Sequence, residues 1–141
     1  MNKKEWLERY RSLQTEAERT ERELQRWRSR AERVTQRLSD MPKGGERRNK
    51  LEDAVCAMEE LEDTLMVQIL KAIAVRQEIA AAIEAVQNPV SRELLKRRYI
   101  DGDKWESIAE KMNYCYKHVV HTLHPRALAE VVIESNAACV I

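Results

Sequence analysis

From Trp6 to Leu38 the chain places an apolar or small residue at alternating intervals of four and three: Trp6, Tyr10, Leu13, Ala17, Thr20, Leu24, Trp27, Ala31, Val34 and Leu38. That spacing keeps one stripe of side chains facing a neighbouring helix along its whole length, which is the requirement of a coiled coil. Tyr10, Ala17, Leu24, Ala31 and Leu38 take the a positions, and Trp6, Leu13, Thr20, Trp27 and Val34 take the d positions. The remaining faces are almost wholly Arg, Glu, Gln and Ser, so the helix has one seam to bury, with bulk required opposite Ala17 and Ala31. It is roughly 50 Å long at 1.5 Å per residue. Its Arg-rich outer face reads as a solvated or salt-bridged surface rather than a nucleic-acid patch.

The stretch SDMPKGGERR (39–48) interrupts the pattern, because Pro42 cannot continue a helix and Gly44 and Gly45 permit the positive φ angles of a reversal. A second long helix is expected from about Glu46 to Gln87, with two overlapping apolar stripes. One stripe carries Ala54, Met58, Leu61, Leu65, Ala72, Val75, Ile79 and Val86. The other carries Leu51, Val55, Leu65, Ile69, Ala72, Ile79, Ile83 and Val86. One stripe can cover the first helix; the second needs another partner, and a second copy of the chain is expected through Leu61, Leu65, Ile69, Ile73, Ile79 and Ile83. Charge supports the pairing of the two helices. Residues 1–48 carry 14 basic against 9 acidic side chains, and residues 49–88 carry 3 against 8.

With 35% charged residues, 3 Gly and 3 Pro, the 141-residue chain is expected to be all-α. Its architecture is a long antiparallel coiled-coil hairpin (1–88, turn at 39–48) followed by a small C-terminal helix-turn-helix domain (89–135) and a tail (136–141). The most apolar run, Leu65 to Val86, contains Lys71, Arg76, Glu78 and Glu84, so no membrane span is expected. The N-terminus has no apolar signal segment, and Cys56, Cys115 and Cys139 form no CxxC pair. A cytoplasmic location, with reduced thiols and no metal, follows as the expectation.

Asn88 and Pro89 have the form of an N-cap and first helical residue. The helix they open should run to about Ile100, where Asp101-Gly102 turns the chain. Asp103 and Glu106 are spaced as a capping box for a further helix ending near Met112. Ala109 is then the small residue at a helix crossing, Asn113 the left-handed turn residue four places on, and Ile108, Met112, Tyr114 and Val119 the apolar wedge. That is the pattern of a helix-turn-helix.

The segment SRELLKRRYIDGDKWESIAEKMNY resembles the region-four module of bacterial sigma factors. Together with LSDMPKGG after a heptad helix and the later LHPRAL, the chain is similar over nearly its whole length to a small phage and prophage family described as sigma-factor-like. That family is related in its C-terminal part to late-gene and autolysin transcription regulators. Three departures stand out. Cys115 occupies the position where Ser opens the recognition helix, the interval from Cys115 to Ala127 is one residue longer than the family pattern, and Pro125 stands where Gly is expected. The wedge position is thereby filled by Thr122, with Leu123 one place late.

The resemblance implies a phage-encoded transcription regulator that docks on promoter DNA as an oligomer, a dimer first, with bacterial RNA polymerase a further candidate partner. Lys96, Arg97, Arg98 and Lys117 are the expected phosphate contacts; Tyr116, Val120 and His121 are the expected base-edge contacts. Two other readings fit the same heptads. One is a coiled-coil adaptor that binds polymerase or another phage protein without reading DNA; the other is a DNA-packaging subunit of the small-terminase kind. Cys115, His118, His121 and His124 recur every three residues, but that step carries them around a helix, so surface histidines are expected rather than a metal site. No Gly-rich phosphate loop, HExxH or GxSxG is present, so neither an enzyme nor a cofactor is expected.

Overall fold

A computed structural model describes residues 2–40 and 45–133, with the side chains of 38–40 and 45–48 excepted. All the regular structure among them is helical. The long helices are α1 (Lys3–Asp40) and α2 (Gly45–Glu84). Pro42 and Gly44 of the expected turn, the seam side chain of Leu38, Cys139 and the 136–141 tail lie outside the described residues. Arg9 pairs with Glu78 at 3.1 Å and, further along α1, Arg28 pairs with Glu62 at 3.5 Å, so α2 runs back along α1 as an antiparallel hairpin. Every described seam position of α1 is buried or half-buried while its neighbours are largely exposed, as a single-seam helix requires. No helix among the described residues is long and apolar enough to cross a membrane.

The chain divides into two compact units, and the division does not fall at residue 88. One unit is Leu13–Lys71, in which Thr20 and Leu24 of α1 and Ala54 of α2 are buried. The other joins Met1–Ser12 to Ala72–Ile141. Its core contains Leu7 of α1, Ile79 and Ile83 of the α2 end, Val86 just after it, and side chains of the C-terminal helices. Leu7, Ile79 and Ile83 have no solvent exposure. Ile79 and Ile83, expected at an oligomer interface, are therefore used up inside the chain. α1 opens on a capping box: Asn2 Oδ1 accepts from the Glu5 amide at 2.8 Å, and the Glu5 carboxylate accepts from the Asn2 amide at 3.2 Å.

Four shorter α-helices complete this second unit. α3 (Pro89–Leu95) is capped by Asn88, whose side chain accepts from the Val90 amide at 3.0 Å, and Pro89 stands in its first turn. It continues without a break into a wide π turn, Lys96–Ile100. Gly102, at φ +76°, then reverses the chain. α4 (Trp105–Met112) begins after Lys104, with no side-chain cap, so the expected box at Asp103 and Glu106 is not formed. Asp103 has other partners. Its carboxylate accepts from Lys111 at 3.2 Å, its amide donates to the Arg97 carbonyl at 2.9 Å, and its carbonyl accepts from Arg98 at 3.1 Å.

The last helix is one rod in three parts: α5 (Tyr116–His118), a π turn (Val119–Leu123) and α6 (His124–Glu130). A π turn is the structural form of one extra residue in an α-helix, so it absorbs the long Cys115–Ala127 interval. It also sits just before Pro125, whose missing N–H and bulky ring would break a regular α turn. The buried residues Val119, Leu123, Ala127 and Val131 recur every four positions. In a regular α-helix that spacing would drift by about 120° over the stripe, and the wider turn takes up part of the drift. Leu123, not Thr122, consequently fills the wedge: Leu123 is buried and Thr122 exposed. Leu123→Ala should therefore lower unfolding stability by about 2–5 kcal/mol, whereas Thr122→Ala should stay within about 0.5 kcal/mol, both measured by urea denaturation.

Candidate nucleic-acid interface

The turn between α4 and α5 is built from backbone geometry that asparagine tolerates well. Asn113 sits at φ 61°, ψ 40°, in the left-handed region. Its amide donates to the Glu110 carbonyl at 3.3 Å, and the Tyr114 amide reaches back to the Ala109 carbonyl at 3.0 Å. This pair of bonds satisfies two of the last carbonyls of α4 and stops the helix sharply. Ala109 is buried, and Ile108 and Val119 have no exposure, so the expected crossing and most of its wedge are in place. Tyr114 is not part of it. Its side chain is exposed and its ring lies tilted against His118, centroids 5.5 Å apart.

α5 and the following π turn carry the expected reading face. Tyr116, Lys117 and His121 are exposed; Val120 is half-buried. Tyr116 and Val120 are four residues apart, as are Lys117 and His121, so the four share one side of the rod. Lys117 makes no ion pair with any described residue. Cys115 precedes the helix in extended conformation and caps it with no side-chain hydrogen bond.

Lys96, Arg97 and Arg98 are placed differently. They form the π turn that ends α3, and each is engaged within the chain. Lys96 pairs with Glu84, holding the Glu84 carboxyl below the ordinary carboxylate range. Arg97 pairs with Glu93 at 2.9 Å. Arg98 stacks on the Trp105 ring at 4.5 Å while it donates to the Asp103 carbonyl. The three cations of the KRR run thus belong to the scaffold, and the structure does not bring them to the reading face as free charges.

Among the described residues no group of three or more His, Cys, Asp and Glu is placed to hold a metal ion. The histidines separate instead. His121 is exposed, His118 is half-buried against Tyr114, and His124 is buried, contrary to the expectation of a surface side chain. The π turn rotates His124 inward. There its Nε2 and the Tyr99 hydroxyl share a hydrogen bond at 2.7 Å, and the Trp105 ring lies 4.5 Å away. Burial, and the positive charges of Lys4 and Arg98, push the His124 ring down to about 4; burial pushes the Tyr99 hydroxyl up to about 12. The ring is neutral at pH 7 and packs the rod against Tyr99 and Trp105.

The family model for proteins of unknown function designated DUF1492 matches residues 33–131, from the end of α1 through α6. The chain belongs to this family. Comparisons with curated proteins and with solved structures give no match. The matched span includes all of α2 as well as the C-terminal helices α3 to α6.

His124 makes the stability of this unit depend on pH. An unfolded histidine titrates near 6.5 and the folded one at about 4, so between these values the unfolded chain binds the additional proton. The contribution is complete above pH 6.5 and is lost as the pH falls to 4, by up to about 3 kcal/mol. Urea unfolding followed from pH 7.5 to 4 should show this decline in the wild type and a flatter profile in His124→Gln.

Proposed function

We propose that the chain is a phage-encoded transcription regulator whose helix-turn-helix docks on promoter DNA. The observation that carries the reading is the left-handed turn at Asn113 above a buried Ala109, with Tyr116, Lys117 and His121 facing outward from the rod that follows. This is the arrangement by which a helix-turn-helix offers the start of its second helix to a major groove. Lys117 then supplies a fixed charge to a phosphate. Tyr116 and His121 offer hydrogen-bonding groups to base edges, and Val120 a contact to a thymine methyl. The resemblance to sigma-factor region four supports the same role, in the cytoplasm of a bacterial host and beside RNA polymerase.

The adaptor reading rests on one specific observation. Lys96, Arg97 and Arg98, the cations expected to meet phosphates, are already paired or stacked within the chain. Exposed ion pairs are weak and exchange partners readily, so DNA can still recruit Lys96 from Glu84. A surface this sparse in charge binds weakly as a single copy, and linking two half-sites raises the affinity.

Self-association is assigned to α2. Met66 and Leu70 are 58% exposed and Val67 is 57% exposed, and Ile69 and Ile73 are exposed as well. Neighbouring large apolar side chains left in water on one helix are characteristic of a surface that a partner covers. Leu61 and Leu65 are half-buried within the chain, and Ile79 and Ile83 are wholly so. The working interface is therefore Met66, Val67, Ile69, Leu70 and Ile73.

Two measurements test the proposal. In a mobility-shift assay on phage intergenic duplexes over a salt series, the wild type should retard DNA at low salt, and Lys117→Ala with His121→Ala should weaken retardation at least tenfold; no retardation at low salt, or none lost in the double variant, sinks the DNA-reading role. In light scattering the wild type should have at least twice the chain mass, and Met66→Glu with Leu70→Glu should return it to one.

A further inference from the structure

We infer that the outer face of α1 is a second, sequence-independent contact for the phosphate backbone of double-stranded nucleic acid. At 100° per residue, Arg19, Arg22, Arg26, Arg30, Arg33 and Arg37 fall within an arc of about 80°, and they extend about 27 Å along the helix. All six are exposed. None makes an ion pair with a described residue: Glu23 and Glu18, four places from Arg19 and Arg22, do not close on them. Arg30 lies over the Trp27 ring at 5.0 Å, a stacked position that leaves the guanidinium edge open. Solubility alone would be served by lysine. From residue 13 to residue 40 the helix has seven arginines and no lysine. Guanidinium is the group whose planar fork binds phosphate through two parallel hydrogen bonds.

The length of the row selects the occupant. Duplex DNA presents one negative charge per roughly 1.7 Å of axis, both strands counted, so a row of this length faces negative charge from end to end. The acidic part of α2 in a second copy is the competing occupant. It runs only from Glu52 to Asp63, about 16 Å of helix, and Glu62 already pairs with Arg28. It leaves much of the row uncovered. The contact does not depend on the helix-turn-helix reading, and it carries no base specificity, since nothing in the row other than arginine is positioned to discriminate.

Fluorescence anisotropy with the full chain and two duplexes of unrelated sequence, over a salt series, tests the inference. Arg22→Gln, Arg26→Gln, Arg30→Gln and Arg33→Gln combined should cost at least tenfold in affinity on both duplexes and reduce the slope of log affinity against log salt by about 3. The four corresponding Arg→Lys changes should keep most of that slope, which excludes loss of folding as the cause. Lys117→Ala with His121→Ala should leave this part of the slope intact. Loss of binding in the glutamine variant with none in the Lys117 and His121 variant supports the arginine row while refuting the helix-turn-helix reader. An unchanged slope in the glutamine variant overturns the row, as does a loss of oligomer mass in that variant with DNA binding retained, which assigns the arginines to a second copy's acids.

Discussion

Leu7, Ile79 and Ile83, all without solvent exposure, supply what the C-terminal helices cannot make for themselves. α3, α4, α5 and α6 are 7, 8, 3 and 7 residues long, and segments this short have too little apolar surface to enclose a core alone. The ends of the two long helices close it. Lys3 adds a polar tie by donating to the Ala129 carbonyl at 3.2 Å, near the end of α6, where a cation also suits the helix dipole. The placement of the rod from Tyr116 to Glu130 is therefore a property of residues as distant in sequence as Leu7, and the helix-turn-helix is not a bead that can be cut away at residue 88.

What could be read from the sequence was what local stereochemistry or a strict period dictates. The seam of α1, the Asn88-Pro89 start, the Gly102 reversal and the left-handed Asn113 belong to this class, because each depends on a residue type within a few positions of itself. Leu7 escaped because it lies beside the seam, in the one part of α1 where a further layer of helices covers a second face. The rod from Tyr116 to Glu130 was misread in phase. A 3.6-residue period has no place for an extra residue, and only Pro125 and the long Cys115–Ala127 interval marked the wide turn that buries Leu123 and His124. The box at Asp103 failed for another reason: its carboxylate and both backbone groups found partners elsewhere, whereas the same spacing at Asn2 and Glu5 closed.

Charge was the least legible part, since a sequence counts cations but not their partners. The KRR run at 96–98 is the densest cationic cluster in the C-terminal segment, yet its members hold Glu84, Glu93, Trp105 and the Asp103 carbonyl. The arginines of α1 are balanced almost one for one by glutamates in composition. In space Arg9 and Arg28 hold Glu78 and Glu62, while the six of the outer row, Arg19 to Arg37, make no ion pair with a described residue.

The wide turn in the recognition rod bears on how such a module can read DNA. Ahead of it are Cys115, Tyr116, Lys117 and His118, of which His118 is drawn toward Tyr114; after it, His124 and Ala127 turn into the core. The outward face is thus confined to about two turns of helix, with one fixed cation. A short, lightly charged reading face contributes few phosphate contacts, so most of the electrostatic affinity of a DNA complex must arise elsewhere on the chain or from a second copy. On that argument the long α1 and α2 do more than space or support the module. For the DNA-reading role proposed above, the affinity that a sparse reading helix lacks falls to the long helices, of which the family match spans all of α2 but only residues 33–40 of α1.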